Sequence, residues 1–336
     1  MLPCTRGKKR LKKTRANKTL CLTGLARSAD TDTQSNSGTR SRILMVDPTP
    51  PTPPNAGSSA RIMTPLRDLS VWVHHFLQAE IPVLASSAQA LEALRAVEDD
   101  VDANTLAKVI DADPLLSIKY LAHAANRRRV SDSTDTETVL SSLVMTGVLP
   151  FFNHFGPQPT VEDRLMDLPL ALEALQRLMH RATRAGNFAL AFAVHRGSTD
   201  AAVIHQAAFL HDFAEMLMLC HAPTMELQIQ GAMRADPTLR TAKAQRDVLN
   251  IELDDLRQEL FKRWHLPQLL VRISDDKHLD HSNVLCAQLA VRLARHTMED
   301  WDNAAIPDDI EAIAKLLNAA PRVALAFAKK VDLQCL

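Results

Sequence analysis

Asp113-Pro114-Leu115-Leu116-Ser117-Ile118-Lys119-Tyr120-Leu121-Ala122-His123-Ala124-Ala125-Asn126 decides the fold class. The aspartate can accept backbone N–H groups at a helix start, and proline fits the first helical position because the N–H it lacks has no intrahelical partner there. Leu115, Ile118, Leu121, Ala122 and Ala125 return every three or four residues, one stripe of an amphipathic helix. The same period flanks this stretch on both sides. Upstream, Leu66, Leu69, Val73 and Phe76 predict one helix, Ala88, Leu91, Leu94 and Val97 a second, and Leu106, Val109 and Ile110 a third. Ile81-Pro82-Val83-Leu84 between the first two reads as an extended link, because proline biases the residue before it away from the helix. Downstream, residues 126–135, with Arg127-Arg128-Arg129, read as a polar exposed loop. Thr134-Asp135-Thr136-Glu137 predicts a capping box ahead of Leu140, Leu143 and Val144, with Gly147 placed to stop that helix.

Glycine usage extends the reading to the whole chain of 336 residues. Only 9 glycines occur, and Gly7, Gly24, Gly38 and Gly57 fall in the first 60 residues. A sandwich, barrel or dinucleotide-binding sheet needs more turn glycines than the remainder offers. No phosphate-binding glycine loop and no G-x-S-x-G elbow is present, which removes those nucleotide and hydrolase classes. After Pro157 and Pro159 a second helical block is expected, with helices over 170–192, 200–220, 243–264 and 283–298 and one or two over 307–331. The fold expected is all-α: two packed helical bundles, over residues 64–155 and 165–336. Residues 1–60, basic, Ser/Thr-rich and then proline-rich, read as a disordered tail that cannot bury enough surface to offset chain entropy.

Net charge is zero but unevenly spread. Residues 1–44 hold 11 Lys and Arg against Asp30 and Asp32, so the remainder carries −9. An acidic body argues against a nucleic-acid partner, since such binding rests on phosphate contacts from basic side chains. Cys4, Cys21, Cys220, Cys286 and Cys335 are scattered without metal-site or disulfide rhythm, as suits a reducing compartment. No apolar run is long enough to span a membrane. A cytoplasmic location is expected.

The ordered segments resemble the HDOD domain, a family of helical bacterial proteins related to HD-type phosphohydrolases. Ile81-Pro82-Val83-Leu84 is similar to that family's LP opening. The stretch from Ile110-Asp111-Ala112-Asp113-Pro114 to Ala124-Ala125-Asn126 is similar to its I..DP.L..KLL..AN helix pair. Residues 134–147 fit its S...A...LG helix, 207–219 its LLHDIG..VL segment, and Arg263-Trp264-His265-Leu266-Pro267 its W.LP. The resemblance spans roughly residues 75–300. Ala85, Ala214 and Asn250 depart from it, replacing a proline and two glycines.

The resemblance also frames the chemistry. HD phosphohydrolases hold a divalent metal with an upstream His, an adjacent His-Asp pair and an Asp on a later helix. His180, His211 and Asp212 take the first three places here. The fourth falls on Val291, and residues 283–296 contain no Asp or Glu. Asp275, Asp276, His278, Asp280 and His281 precede that helix and could substitute, though their spacing does not demand it. The lysine expected after the His-Asp turn in active cyclic-dinucleotide phosphodiesterases is Glu215. His180, His211 and Asp212 therefore read as a degenerate remnant, with no catalytic residue, no bound metal and no cofactor expected. Other features carry plainer readings: Trp264 a helix end packed on the core, His74-His75 and His278…His281 surface residues, and Glu252, Asp254, Asp255, Arg257 and Lys262 a solvated salt-bridged face. The function expected is a non-enzymatic regulatory module that binds a protein partner. The alternative is a metal-dependent phosphohydrolase acting on a nucleotide or cyclic dinucleotide.

Overall fold

Side chains of Asp68, Asp102, Thr138 and Thr160 cap four helix starts, and Gly147, Asn250 and Asn318 stop helices at positive φ. The structure, a computed structural model, describes residues 60–131, 136–236 and 238–334. Among these the first block holds α1 (Leu69–Gln78), α2 (Ala85–Arg95), α3 (Ala103–Ile110), α4 (Pro114–Ser131), α5 (Val139–Thr146), α6 (Val148–His154) and α7 (Val161–Leu165). The second holds α8 (Pro169–His195), α9 (Ala201–Phe209), α10 (Phe213–His221), α11 (Pro223–Ala235), α12 (Thr241–Leu249), α13 (Leu253–Arg263), α14 (Gln268–Ile273), α15 (Ser282–His296), α16 (Ile306–Leu317) and α17 (Pro321–Leu333). The described residues contain no strand beyond one isolated parallel bridge, Val83 to Thr160. The expected tail lies outside the described residues apart from Ala60.

Asp113 does what its position promises, and more. Its Oδ1 accepts the backbone N–H groups of Leu115 at 2.9 Å and Leu116 at 3.2 Å, capping α4. Its Oδ2 accepts the Leu84 N–H at 2.7 Å, which pins the extended link to the helix start. The residue is fully buried.

Four details depart from the sequence reading. Residues 126–131 continue α4 instead of forming a loop, because nothing between Ala125 and Ser131 breaks a helix. Thr134 and Asp135 lie outside the described residues, and α5 is capped by Thr138, whose hydroxyl accepts the Ser141 N–H at 3.2 Å while Ser141 Oγ accepts the Thr138 N–H at 3.1 Å. The helix expected over 200–220 is two, broken at Leu210-His211-Asp212. The one expected over 243–264 is also two. Asn250, at φ 65°, closes α12 in the left-handed conformation that asparagine tolerates second only to glycine. Gly147 stops α5 as expected, at φ 85°.

The long helix α8 is the spine, packed against α9, α10, α15 and α17. Its inner face is built of small residues, Ala182, Ala185, Gly186, Ala189 and Ala193, which let neighbouring helices approach closely. A Cβ on Gly186 would lie 2.9 Å from His205 Nε2 and 3.2 Å from Phe209 Cβ on α9. Arg184, almost fully buried on α8, donates to both Asp332 oxygens on α17 at 2.8 and 2.9 Å and to Thr297 Oγ1 at 2.7 Å. The two blocks are joined as well. Trp72 Nε1 on α1 donates to the Leu249 carbonyl at 3.0 Å, and α1 packs on α13.

Replacing Asp113 with Ala should strand two buried N–H groups and a part-buried one and lower the unfolding free energy by about 2–4 kcal/mol. Asp113→Asn, which keeps one acceptor oxygen, should lose less. Urea denaturation reads both, and an unchanged midpoint for Asp113→Ala would mean that those N–H groups find other acceptors.

Candidate functional site

His211 and Asp212 occupy the turn between α9 and α10, where the backbone leaves helical geometry and both side chains can face the same space. Asp212 is 7% exposed, so its charge needs partners. His211 Nδ1 donates to Asp212 Oδ1 at 2.8 Å. Arg181 on α8 donates from Nε to Asp212 Oδ2 at 2.8 Å and from Nη2 to Glu215 Oε2 at 3.0 Å. Arg295 on α15 stands 3.7 Å from Asp212 Oδ1.

The second half of the cluster centres on Arg257. Its side chain is buried within the apolar stripe Leu253, Leu256, Leu260 and Phe261 of α13. The guanidinium donates to the His211 carbonyl at 2.9 Å, to the Ser274 carbonyl at 3.2 Å and to Asp276 Oδ2 at 2.9 Å, and it pairs with Asp254 at 3.1 Å. His211 Nε2 also meets Asp276 Oδ2, at 3.0 Å. Both ring nitrogens therefore face carboxylates, the arrangement of an imidazolium with two donors.

Charge follows from this geometry. Burial pushes the Asp212 carboxyl up, but the Arg181 charge, the His211 hydrogen bond and Arg295 outweigh it and hold the group well below the ordinary carboxylate range. Burial likewise opposes ionisation of Asp276, yet the His211 hydrogen bond and Arg257 lower it to about 2. Burial and the Arg257 charge push His211 down, while its hydrogen bonds to Asp212 and Asp276 raise it above its ordinary value. Arginines 181, 257 and 295 with His211 balance carboxylates 212, 215, 254 and 276.

Of the residues singled out in the sequence, His211 and Asp212 come together and His180 does not join them. His180 is exposed and borders a groove with Arg184, Trp301 and Asp332. One residue on a helix is a rotation of about 100°, so it is Arg181 that α8 turns toward Asp212. Val291 is buried on α15, between Gln288 and Arg295, which line a small cavity of about 130 Å³ beside His211 and Asp212. An aliphatic group thus shares the helix face on which the later carboxylate was expected. Asp276 is the loop acid that reaches the site, whereas His278 and His281 are surface residues. Arg257 does not lie on a solvated face: it belongs to the core. His74 is exposed as expected, but His75 turns partly inward against Phe76 and His221. Trp264 packs on Phe213, as its place at the helix end suggests.

His211, Asp254 and Asp276 bring one donor atom each within 4.8 Å of one another, which is metal-like spacing. The donor set does not fit a divalent cation. The Arg257 guanidinium already bridges both carboxylates, and both His211 nitrogens are spent on carboxylate oxygens.

A family model described as HDOD domain matches residues 81–279, more than half of the chain. The chain belongs to the HDOD family. Its match begins at the Ile81-Pro82 link and ends ahead of α15. Among solved structures the HDOD fold here is similar to a virulence factor of Campylobacter jejuni, at 14% identity and TM-score 0.56, covering 80% of this chain and 97% of that one. It is also similar to the MmoQ response regulator of Methylococcus capsulatus strain Bath, at 17% identity and TM-score 0.52, covering 72% and 99%. At such identities the likeness is one of fold. No curated protein gives a significant match.

Removing Arg181 as Arg181→Met should leave Asp212 underpaired and cost about 3–5 kcal/mol in chemical denaturation. The double variant Arg181→Met/Asp212→Leu should recover most of that loss, since no buried charge then lacks its main partner; strict additivity would refute the pairing.

His211 supplies a test in pH. A base with a raised pKa contributes fully below its unfolded value of 6.5, and the contribution disappears as pH rises through the folded value. The stability gap between wild type and His211→Gln should therefore be largest in mild acid and narrow in alkali. A gap that does not vary with pH would contradict the imidazolium.

Proposed function

We propose that this HDOD protein is a non-enzymatic regulatory module of the cytoplasm that acts by binding another protein. The observation that carries this reading is the Arg181–Asp212 pair, with Val291 on the facing helix. A hydrolytic metal centre needs carboxylate and imidazole lone pairs turned toward an ion. Here arginine N–H groups occupy those lone pairs, and each guanidinium is a permanent charge that no pH within the range of folding removes.

Exposed apolar side chains on the first block support this reading. Leu140, Val144 and Met145 on α5 and Leu149 on α6 are 37%, 67%, 60% and 50% exposed. Exposed apolar side chains on these two adjoining helices suit protein contact better than solvent. Among the described residues no helix is long and apolar enough to cross a membrane.

The metal-dependent phosphohydrolase is the competing reading, favoured by the closeness of His211, Asp254 and Asp276. Metal analysis after incubation with Mn, Fe or Zn separates the two, together with an assay of phosphodiester turnover. We expect metal well below one per chain and no turnover above the Arg181→Met or His211→Ala backgrounds. One ion per chain, with turnover that vanishes in His211→Ala, would establish the enzyme instead. In co-purification from native extract, Val144→Glu/Met145→Glu should lose proteins that wild type retains while melting at the same temperature.

A further inference from the structure

Beside the charge cluster, and sharing Arg181, Glu215 and Arg295 with it, α8, α10, α11, α12 and α15 line an open cavity of about 530 Å³. That volume lies in the range of small-molecule sites, roughly 300–1,000 Å³. Leu178, Ile229 and Met233 give it an apolar wall. Glu226, on the cavity-lining face of α11, is only 1% exposed. Its Oε1 accepts from Gln230 Nε2 at 3.2 Å, and its Oε2 is buried with no hydrogen-bond partner. Burial first, and then the charge of Glu215, push its pKa well above the ordinary range, which favours the protonated form. Buried polar atoms are almost always satisfied in a native protein, and one that is not points to a missing partner.

Two of the arginines that line the cavity, beside Glu173 and Glu215, make no hydrogen bond to a carboxylate among the described residues. Arg177 pairs with Glu299, and Arg181 is held by Asp212 and Glu215. Arg234 is exposed and makes no ion pair among the described residues. Arg295 is 44% exposed, and its 3.7 Å approach to Asp212 is too long for a hydrogen bond. These two guanidinia come from separate helices, α11 and α15. Two forks arriving from different elements suit the several oxygens of a tetrahedral phosphate, whereas a planar carboxylate is filled by one.

We propose that this cavity binds a small organic phosphate, a monoester with an apolar or aromatic body. Arg234 and Arg295 hold the phosphate, Leu178, Ile229 and Met233 take the body, and Glu226 donates to an acceptor on the ligand. Such a site gives the module a chemical input of its own, independent of whether it also binds a protein.

Calorimetric titration and thermal melting of the full chain test this. The probes are the nucleoside 5′-monophosphates, glucose 6-phosphate, inorganic phosphate, the unphosphorylated nucleosides and decanoate. At least one ester should bind with Kd below about 1 mM and raise the melting temperature, because only the folded state holds it. Inorganic phosphate and the parent nucleoside or sugar should each bind it at least about tenfold more weakly. Arg234→Ala should weaken the ester by about tenfold or more without moving the melting temperature of the free protein. Glu226→Leu should melt at or above wild type, since it removes an unsatisfied buried atom, and yet bind the ester about tenfold more weakly or worse. A purely structural role for Glu226 would not part stability from binding in this way. The proposal is overturned by silence of every ester at about 1 mM, by decanoate binding in their place, or by either variant binding as wild type.

Discussion

A carboxylate held out of water must have a counter-charge, and that requirement organises the centre of this molecule. Asp212 sits on the turn where one apolar run is cut into α9 and α10. Arg181 reaches it from the spine and Arg295 stands by from α15. Arg257 repeats the arrangement one layer away, tying the His211 carbonyl to Asp276 and Ser274. The cluster draws together α8, α13, α15 and the α9–α10 turn. Hydrogen bonds to fixed guanidinia do here what an ion's coordination shell does in a metalloenzyme: they set which carboxylate oxygen points where. The functional reading depends on that substitution.

Much of the helical order was legible because period and punctuation agree. The α4 stripe, the Asp113 cap, the Ile81-Pro82 link and the Gly147 stop all depend on residues within a few positions of one another. The breaks that were missed are those where the apolar pattern runs on across a change of backbone. From Ile204 to Leu219 buried apolar residues resume directly after His211-Asp212, and no proline, glycine or asparagine marks the turn there. Asn250 left a faint mark: a glycine was expected near it by resemblance, and asparagine performs the same left-handed turn.

The site was half legible for a similar reason. The His-Asp doublet in an apolar run announces itself, and the aliphatic residue at 291 could be read from the family resemblance. The arginines could not, because a charged residue on a helix is ordinarily solvated. A signal did exist. Arg257 is the position that completes the stripe of Leu253, Leu256, Leu260 and Phe261, and Arg181 lies on α8 three residues after Leu178 and four before Ala185. A lone arginine inside an otherwise apolar stripe is a buried cation seeking an acid. Nothing in the local pattern, however, told which acid; Asp276 is nineteen positions from Arg257, and only the tertiary path brings them together.

The spine helix carries a last implication, for where this domain ends. The recognisable HDOD segment stops at residue 279, but α8 lies under α15 and α17, and the Arg184 fork closes on Thr297 and Asp332. Cut at the border of family likeness, the remaining piece would keep a charged side chain facing an absent lid and an alanine-rich flank open to water. The folding unit is therefore wider than the stretch by which kinship is recognised, and an expression fragment of this protein should be bounded by its last helix.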